Sequence, residues 1–323
     1  MYKVIDLFCG CGGFARGFME ERFEILLGID IDINSLNTYS RNIKGAITWK
    51  KDLREVHSKD IINVVGSSPD VIIGSPPCEP FTPVNYKRMK NELDRLYLDE
   101  IGGLTLHFIR IVGDLKPKIF VMENVPQIIE GELKWALKWE FNRVGYKRVY
   151  FNILKAEDSQ TPSIRRRIFI SNIPIKIKRE GRRINVEEAL KGLPNPEGII
   201  DYPNHEITPL TEKKIKKIAK LRWGDALILF KGADGKIYRN MIRLHPKRLA
   251  PTVMGGSRFI HPYENRLLTV REQARLMGFP DTHIFYGPRE VQYNQIGEAV
   301  PPTLSRTIAK HIKKVLDEGM VDV

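Results

Sequence analysis

Cysteine is scarce in this chain, with Cys9, Cys11 and Cys78 the only three in 323 residues. Three thiols cannot build a disulfide framework, which excludes the small stapled secreted folds and fits a reducing compartment. Histidine is thin as well, and no His pair at metal-ligand spacing accompanies Cys9-x-Cys11, itself tighter than usual zinc pairs; no metal site is expected. No apolar run approaches the roughly 20 residues needed to cross a bilayer, so no membrane association is expected. The N-terminus, MYKVIDLFCGCGG, lacks the anatomy of a signal peptide and runs directly into a strand and a glycine loop, so a cytoplasmic location is the expectation. Acids are the other shortage: 39 Asp and Glu against 52 Lys and Arg, a net charge of +13. Most of that excess lies between Ser171 and Arg258, where 19 Lys and Arg meet 9 Asp and Glu. A thermophile-like solvated surface balances lysine with glutamate, and this segment does not. A polyanion, nucleic acid, is the partner it suits.

The first 170 residues alternate two kinds of segment. YKVIDLF, FEILLGID, DVIIGSPP, KIFVMENV, YKRVYFNIL and RRIFISNI read as strands, while Gly13 to Glu21, Ile33 to Asn42 and Leu104 to Leu115 read as helices. Buried β-branched strands separated by helices predict an α/β fold, a doubly wound and mostly parallel sheet covered on both faces. From about Pro174 the rhythm stops. KIKREGRRINVEEALKGLPNPEG, YPNHEITP and the basic helix TEKKIKKIAKLRWGD are punctuated by proline and glycine. We therefore expect one α/β unit at 1–173 and a smaller basic domain at 174–263. Residues 264–323, with LLTVREQARLMGFPD and QIGEAVPPTLSRTIAKHIKKVL, return to helical patterning and are expected to pack back on the first unit.

Four stretches carry chemistry. DLFCGCGGF takes a strand into a glycine turn that opens a helix; Gly10, Gly12 and Gly13 let the backbone approach a ligand, although dinucleotide sites look similar. Asp30 ends the second strand, where a carboxylate either accepts from a ribose diol or caps the next helix. Asp52 has the same two readings: acceptor for an adenine amino group, or turn cap. In GSPPCEPFT, Pro76 and Pro77 cannot donate to a ladder, so pairing stops and Cys78 is presented at a sheet edge on a stiff loop. The plain alternative is a small buried side chain. MENVP puts Glu123 just past the apolar KIFVM, where burial would raise its pKa. SIRRRIFI opens a strand with Arg165 and Arg167 on one side by period two, and these need an internal acid or an anionic ligand.

Taken in order, these stretches make the chain resemble the DNA (cytosine-5-)-methyltransferase family of restriction–modification type across almost its whole length. DLFCGCGGF resembles the cofactor loop, SPPC the nucleophile motif, MENV the Glu-Asn-Val motif and RRRIF the arginine motif. RLAPTV with LTVREQARLMGFPD resembles the stretch after the recognition domain, and NQIGEAVPP the C-terminal cofactor motif. The resemblance implies the S-adenosylmethionine-dependent methyltransferase fold, a catalytic and cofactor-binding role for 1–173, a target-recognition role for 174–263, and methyl transfer from S-adenosylmethionine to C5 of a flipped-out cytosine in duplex DNA. It makes Cys78 the nucleophile at C6, Glu123 the contact to the ring at N3, Arg167 the contact at O2 and Arg165 a support for the adduct. Phe8, Gly10, Gly12, Gly13, Asp30, Ile31, Asp52, Pro77, Ala299 and Val300 match positions lining the cofactor. A monomer acting beside a separate cognate restriction endonuclease is the form implied. The sequence departs from the family pattern at Glu79, where glutamine is common, Ser163, where glutamine is usual, and Glu298, where asparagine is usual. Three alternatives stand beside this reading: tRNA as substrate, N4 of cytosine as the methylated atom, and a relative that binds nucleic acid without catalysis.

Overall fold

The structure is a computed structural model that describes residues 1–198 and 201–319. Strands β1 (Lys3–Leu7), β2 (Glu24–Asp30), β3 (Ile47–Lys50), β4 (Val71–Gly74), β5 (Ile119–Asn124), β6 (Tyr150–Lys155) and β7 (Arg166–Ser171) form one sheet in the order β3-β2-β1-β4-β5-β7-β6. Helices α1 (Gly13–Glu20), α2 (Ile33–Asn42), α3 (Ser58–Val65), α4 (Glu92–Tyr97), α5 (Leu104–Leu115) and α6 (Leu133–Arg143) fill the connections. The central strands β1, β4 and β5 are short and rich in apolar and β-branched residues because both of their faces are buried. Along β1, Val4 turns to one face with Ile25, Val71 and Phe169 under Phe14, Phe18, Leu304 and Ile308. Ile5 and Leu7 turn to the other with Ile72, Phe120 and Met122 under Phe108, Leu137 and Phe141.

All six expected strands and all three expected helices are present. Two features differ from expectation. The four-residue β3, ITWK, is a half-exposed edge too short and too polar to stand out. The larger difference is β7, which runs antiparallel to both β5 and β6 while β1 to β5 pair in parallel. That reversal brings the start of β7 to the edge where the parallel strands end.

Beyond β7 come α7 (Val186–Leu190), α8 (Glu212–Ile218), the antiparallel hairpin β8 (Ala226–Lys231) and β9 (Ile237–Ile242), then α9 (Val270–Leu276), α10 (Arg289–Glu298) and α11 (Pro302–Asp317). Thr269 and Glu272 form a reciprocal capping box that starts α9. The core does not stop at residue 263. Val186, Leu244, Ala250, Val253 and Phe259 share one cluster with Leu268, Leu276, Met277, Phe285 and Ile296. Helix α11 lies along α1, so the last helix completes the covering of the first.

Candidate active site

The carboxyl ends of β1, β4 and β5 are level, since Leu7 pairs with Gly74 and Gly74 with Met122. Just past β4, Ser75 N–H donates to the Leu7 carbonyl at 3.2 Å, the last ladder-like bond before the two prolines. Asn124 ties the loop to the end of β5: its Nδ2 donates to the Pro76 carbonyl at 3.0 Å. Cys78 follows, half-buried, and its carbonyl accepts from the N–H of both Phe81 and Thr82 at 3.0 Å, which turns the chain sharply. The thiol is therefore held on a stiff loop at the sheet edge, as the prolines predict.

Glu123 is buried at that same edge. Across from it the reversed β7 delivers Arg167, whose Nε stands 3.1 Å from Glu123 Oε1. The approach is an ion pair without hydrogen-bond geometry, so Glu123 Oε1 is a buried oxygen with no hydrogen-bond partner. Burial raises the Glu123 carboxyl above its ordinary value, with Arg167 and then Arg165 pulling it back. Such an acid holds a proton further toward neutral pH than a solvated glutamate. Burial also pushes the Cys78 thiol up to about 11; Arg167 lowers it, while Glu79 and Glu123 raise it further. The thiolate is the nucleophile, so below that value the reactive fraction grows about tenfold per pH unit. Alkylation of Cys78 by iodoacetamide, followed by peptide mapping, is therefore expected to speed up about a hundredfold between pH 7 and pH 9. A rate flat across that range would mean the thiol is already ionised.

Arg165 is buried at this edge, with Nη1 donating to the carbonyls of Val253 at 2.6 Å and Gly297 at 2.9 Å, and Nη2 to that of Ala299 at 2.9 Å. It fastens the C-terminal motif to the sheet edge, and its charge acts on Cys78 and Glu123. Burial, then the neighbouring Arg167, pushes it down to about 9 against the pull of Glu123, so it stays cationic at neutral pH.

The glycine loop lies along the edge at β1. Gly10 has φ +50 and open space where a Cβ would point, while its N–H donates to Asp30 Oδ2 at 2.8 Å. Asp32 N–H donates to the other Asp30 oxygen at 2.9 Å. Burial nevertheless raises the Asp30 pKa, the two backbone donors opposing it. Phe8 also takes a positive φ, 56, where β1 bends into the loop. Ile31, beside Asp30, is 61% exposed, an apolar face with little protein against it. Gly13 lets the last motif close over the loop, because a Cβ there would lie 2.3 Å from the Val300 carbonyl and 3.1 Å from Ala299 Cβ. Pro77 is half-buried in the loop before Cys78. Asp52 is bound by the Arg54 guanidinium and backbone N–H, and Arg54 lowers its pKa. The bond to the backbone N–H is a turn cap. Around the loop, burial raises Glu298 to about 7, with Glu79, Asp30 and Asp32 adding to the rise.

The sequence profile of C-5 cytosine-specific DNA methylases matches residues 2–314. The chain belongs to that family. A Methanocaldococcus jannaschii protein provisionally named a type II methyltransferase is 52% identical to this methylase over 319 residues, covering 97% of this chain and all of the other. The type II methyltransferase M.DdeI of Desulfomicrobium norvegicum is 31% identical over 376 residues, covering 96% of this chain and 88% of its own. Among solved structures, a protein provisionally named a DNA modification methyltransferase, encoded within an Escherichia coli prophage, superposes with a TM-score of 0.79 at 25% identity, covering 98% of this chain and all of that one.

Sequence reasoning missed two groups in the methylase that matter to its edge. Glu130, after β5, holds Arg88 at 3.3 Å and Arg95 at 2.9 Å, and so anchors the chain that follows Cys78. An acid six residues past a strand carries no local signal of this. The β8–β9 hairpin was also unread; its alternating ALILFK and IYRNMI around ADG was the available sign.

Proposed function

We propose that this methylase transfers a methyl group from S-adenosylmethionine to C5 of a cytosine flipped out of a short, specific duplex sequence. The observation that carries the reading is the Glu123 oxygen, buried without a hydrogen-bond partner, sharing one sheet edge with Cys78 and Arg167. A buried carboxyl oxygen held by an ion pair without a well-formed hydrogen bond keeps accepting capacity that a ligand can complete. The amino group of a cytosine can donate to this carboxylate, and its N3 can accept from the protonated carboxyl that burial favours.

Cytosine C5 is a poor nucleophile. The Cys78 thiol loses its proton and its sulfur adds to C6, while a proton or hydrogen bond from Glu123 at N3 takes up the charge that develops on the ring. Arg167 contacts O2 and keeps Glu123 in place. C5, now an enamine carbon, would take the methyl as the donor's sulfur–methyl bond breaks and a neutral thioether leaves; loss of the C5 proton to water then lets the Cys78 sulfur leave as thiolate and restores the ring. S-adenosylmethionine supplies the methyl on a sulfonium, and the residues present fit it: the open Gly10 approach for its backbone-like tail, Asp30 for its ribose diol, and the bare face of Ile31 for its adenine. Phe8, Gly12, Gly13, Pro77, Ala299 and Val300 shape the same cradle, with Asp52 reaching the adenine edge only after releasing Arg54. Arg165 is a positioning residue, holding Gly297 and Ala299 against the loop.

The basic region 174–263 is the reader of sequence in this proposal. Lys213, Lys216, Lys217 and Lys220 are exposed, Lys214 is half-buried, and Lys231, Lys236 and Arg239 project from the hairpin. A base must leave the duplex for this chemistry, and a basic cleft steadies the distorted strand. The chain then acts as a monomer, with a separate nuclease cutting the unmethylated sequence. Among the described residues no helix is long and apolar enough to cross a membrane, and the site of action proposed is the cytoplasm.

The test is bisulfite sequencing of DNA from cells expressing the protein, with mass analysis of nucleosides. Protection at one short motif and a 5-methylcytosine peak are expected. A labelled-methyl assay should favour plasmid over bulk tRNA, with duplex affinity falling steeply as salt rises. Preference for tRNA, or an N4-methyl product, would overturn the reading.

A further inference from the structure

The hairpin and the nucleophile loop touch at one place. In the turn between β8 and β9, the Ala233 N–H donates to the Pro83 carbonyl at 2.8 Å. Gly232 is buried there, although Lys231 and the residues from Ala233 to Ile237 are all exposed. A Cβ on Gly232 would lie 2.7 Å from the Pro83 carbonyl and 2.5 Å from the Tyr238 ring. Only a residue without a side chain lets the two segments come this close.

Both partners are stiff. The hairpin tip is a closed turn: Gly232 N–H donates to Lys236 and Gly235 N–H to Gly232, at 2.9 and 3.0 Å. Phe230 and Tyr238 stack behind it at 5.8 Å, and the Tyr238 hydroxyl donates to Asp234. On the other side, Pro83 stands five residues from Cys78 along a chain folded on itself. Phe81 and Thr82 bond back to Cys78, Asn85 Nδ2 donates to the Glu79 carbonyl at 3.0 Å, and Arg88 donates to the Phe81 carbonyl at 3.1 Å. Glu130 grips the far end of that segment through Arg88 and Arg95. A shift of the tip therefore passes to Cys78 with little slack between.

We propose that the β8–β9 tip positions the nucleophile: through Ala233 and Gly232 it holds Pro83, so the seating of the hairpin on the duplex sets the placement of Cys78. The inference rests on the reading above, in which Cys78 attacks and the hairpin faces DNA. It makes sequence discrimination partly a matter of rate, since a hairpin seated badly on a wrong site would carry the thiol out of line.

Ala233→Pro tests it. Gly232 to Gly235 form a turn in which residue 233 occupies the second place, where proline is favoured. The substitution removes the one N–H that reaches Pro83 and leaves the turn intact. On duplexes carrying the motif mapped by bisulfite sequencing, kcat is expected to fall about three- to tenfold, the size of one hydrogen bond. KM for DNA should stay within about twofold, and the kcat/KM preference over duplexes altered at one base pair should shrink in the same proportion. An independent readout needs no activity: trypsin should cut at Lys87, Arg88 or Lys90 faster in the variant than in the parent protein. Gly232→Ala should act in the same direction and serves if the proline variant does not fold. Unchanged kcat, discrimination and cleavage in a folded variant would overturn the proposal, as would a rise in KM with kcat intact. A parent protein that methylates no duplex would instead refute the function proposed above, and the trypsin comparison would still decide whether the tip holds the loop.

Discussion

Cys78→Ala is expected to lower methyl transfer by at least about 10⁴-fold, the order of loss seen when a covalent nucleophile is removed. Fold and duplex affinity should be kept. The thiol is half-buried at the end of a loop whose shape is fixed by Pro76, Pro77 and bonds to the Cys78 carbonyl, none of which involves the sulfur. Losing one sulfur atom at such a place leaves little cavity, so the urea midpoint should barely move. DNA contact comes from lysines and arginines elsewhere. The decisive measurement is paired: labelled-methyl incorporation and gel-shift affinity on the same duplex. A fluoropyrimidine duplex with the methyl donor should trap the parent protein covalently and leave the variant free. Residual turnover within about tenfold of the parent would mean that C5 is activated without the sulfur.

The second large effect is on stability. Arg165→Ala is expected to cost about 3–5 kcal/mol, because a buried cation gives way to three carbonyls left without donors. The Val253 carbonyl lies in one stretch of chain and those of Gly297 and Ala299 in another, and one planar guanidinium serves all three. Lysine cannot replace it, since a single ammonium lacks the fork. Against a typical domain stability of about 5–15 kcal/mol, this loss should move the urea midpoint strongly and loosen the C-terminal motif over the glycine loop. Binding of S-adenosylmethionine, measured by calorimetry, should weaken in whatever folded fraction remains. A midpoint within experimental error of the parent would show that water reaches those carbonyls freely.

The sheet was legible because its strands are buried on both faces and so spell out β-branched runs, from VIDL to FVM. Cys78 and Glu123 were legible for a related reason: a polar side chain directly after such a run marks a sheet edge. Strand direction was not. Nothing in RRRIFIS says that it runs against its neighbours, yet two arginines at its start make sense beside Glu123 only if it does. Asp52 illustrates a different limit, because its partner Arg54 is two residues away and sequence alone could not choose between that bond and a ligand. Arg165 was read as a charge needing an internal acid or an anionic ligand; its bonds to backbone carbonyls from distant parts of the chain, beside the pull of Glu123, had no local sign. Gly232 carries no local sign of its role, since its significance lies in what stands opposite.

Helix α11 lies along α1, and the Val300 carbonyl rests where any side chain on Gly13 would be. The glycine loop therefore takes its packed shape only once a segment far along the chain has folded against it. A chain cut before Val300 would keep Cys78 on its loop but leave Gly13 uncovered, so the two halves of this edge mature separately.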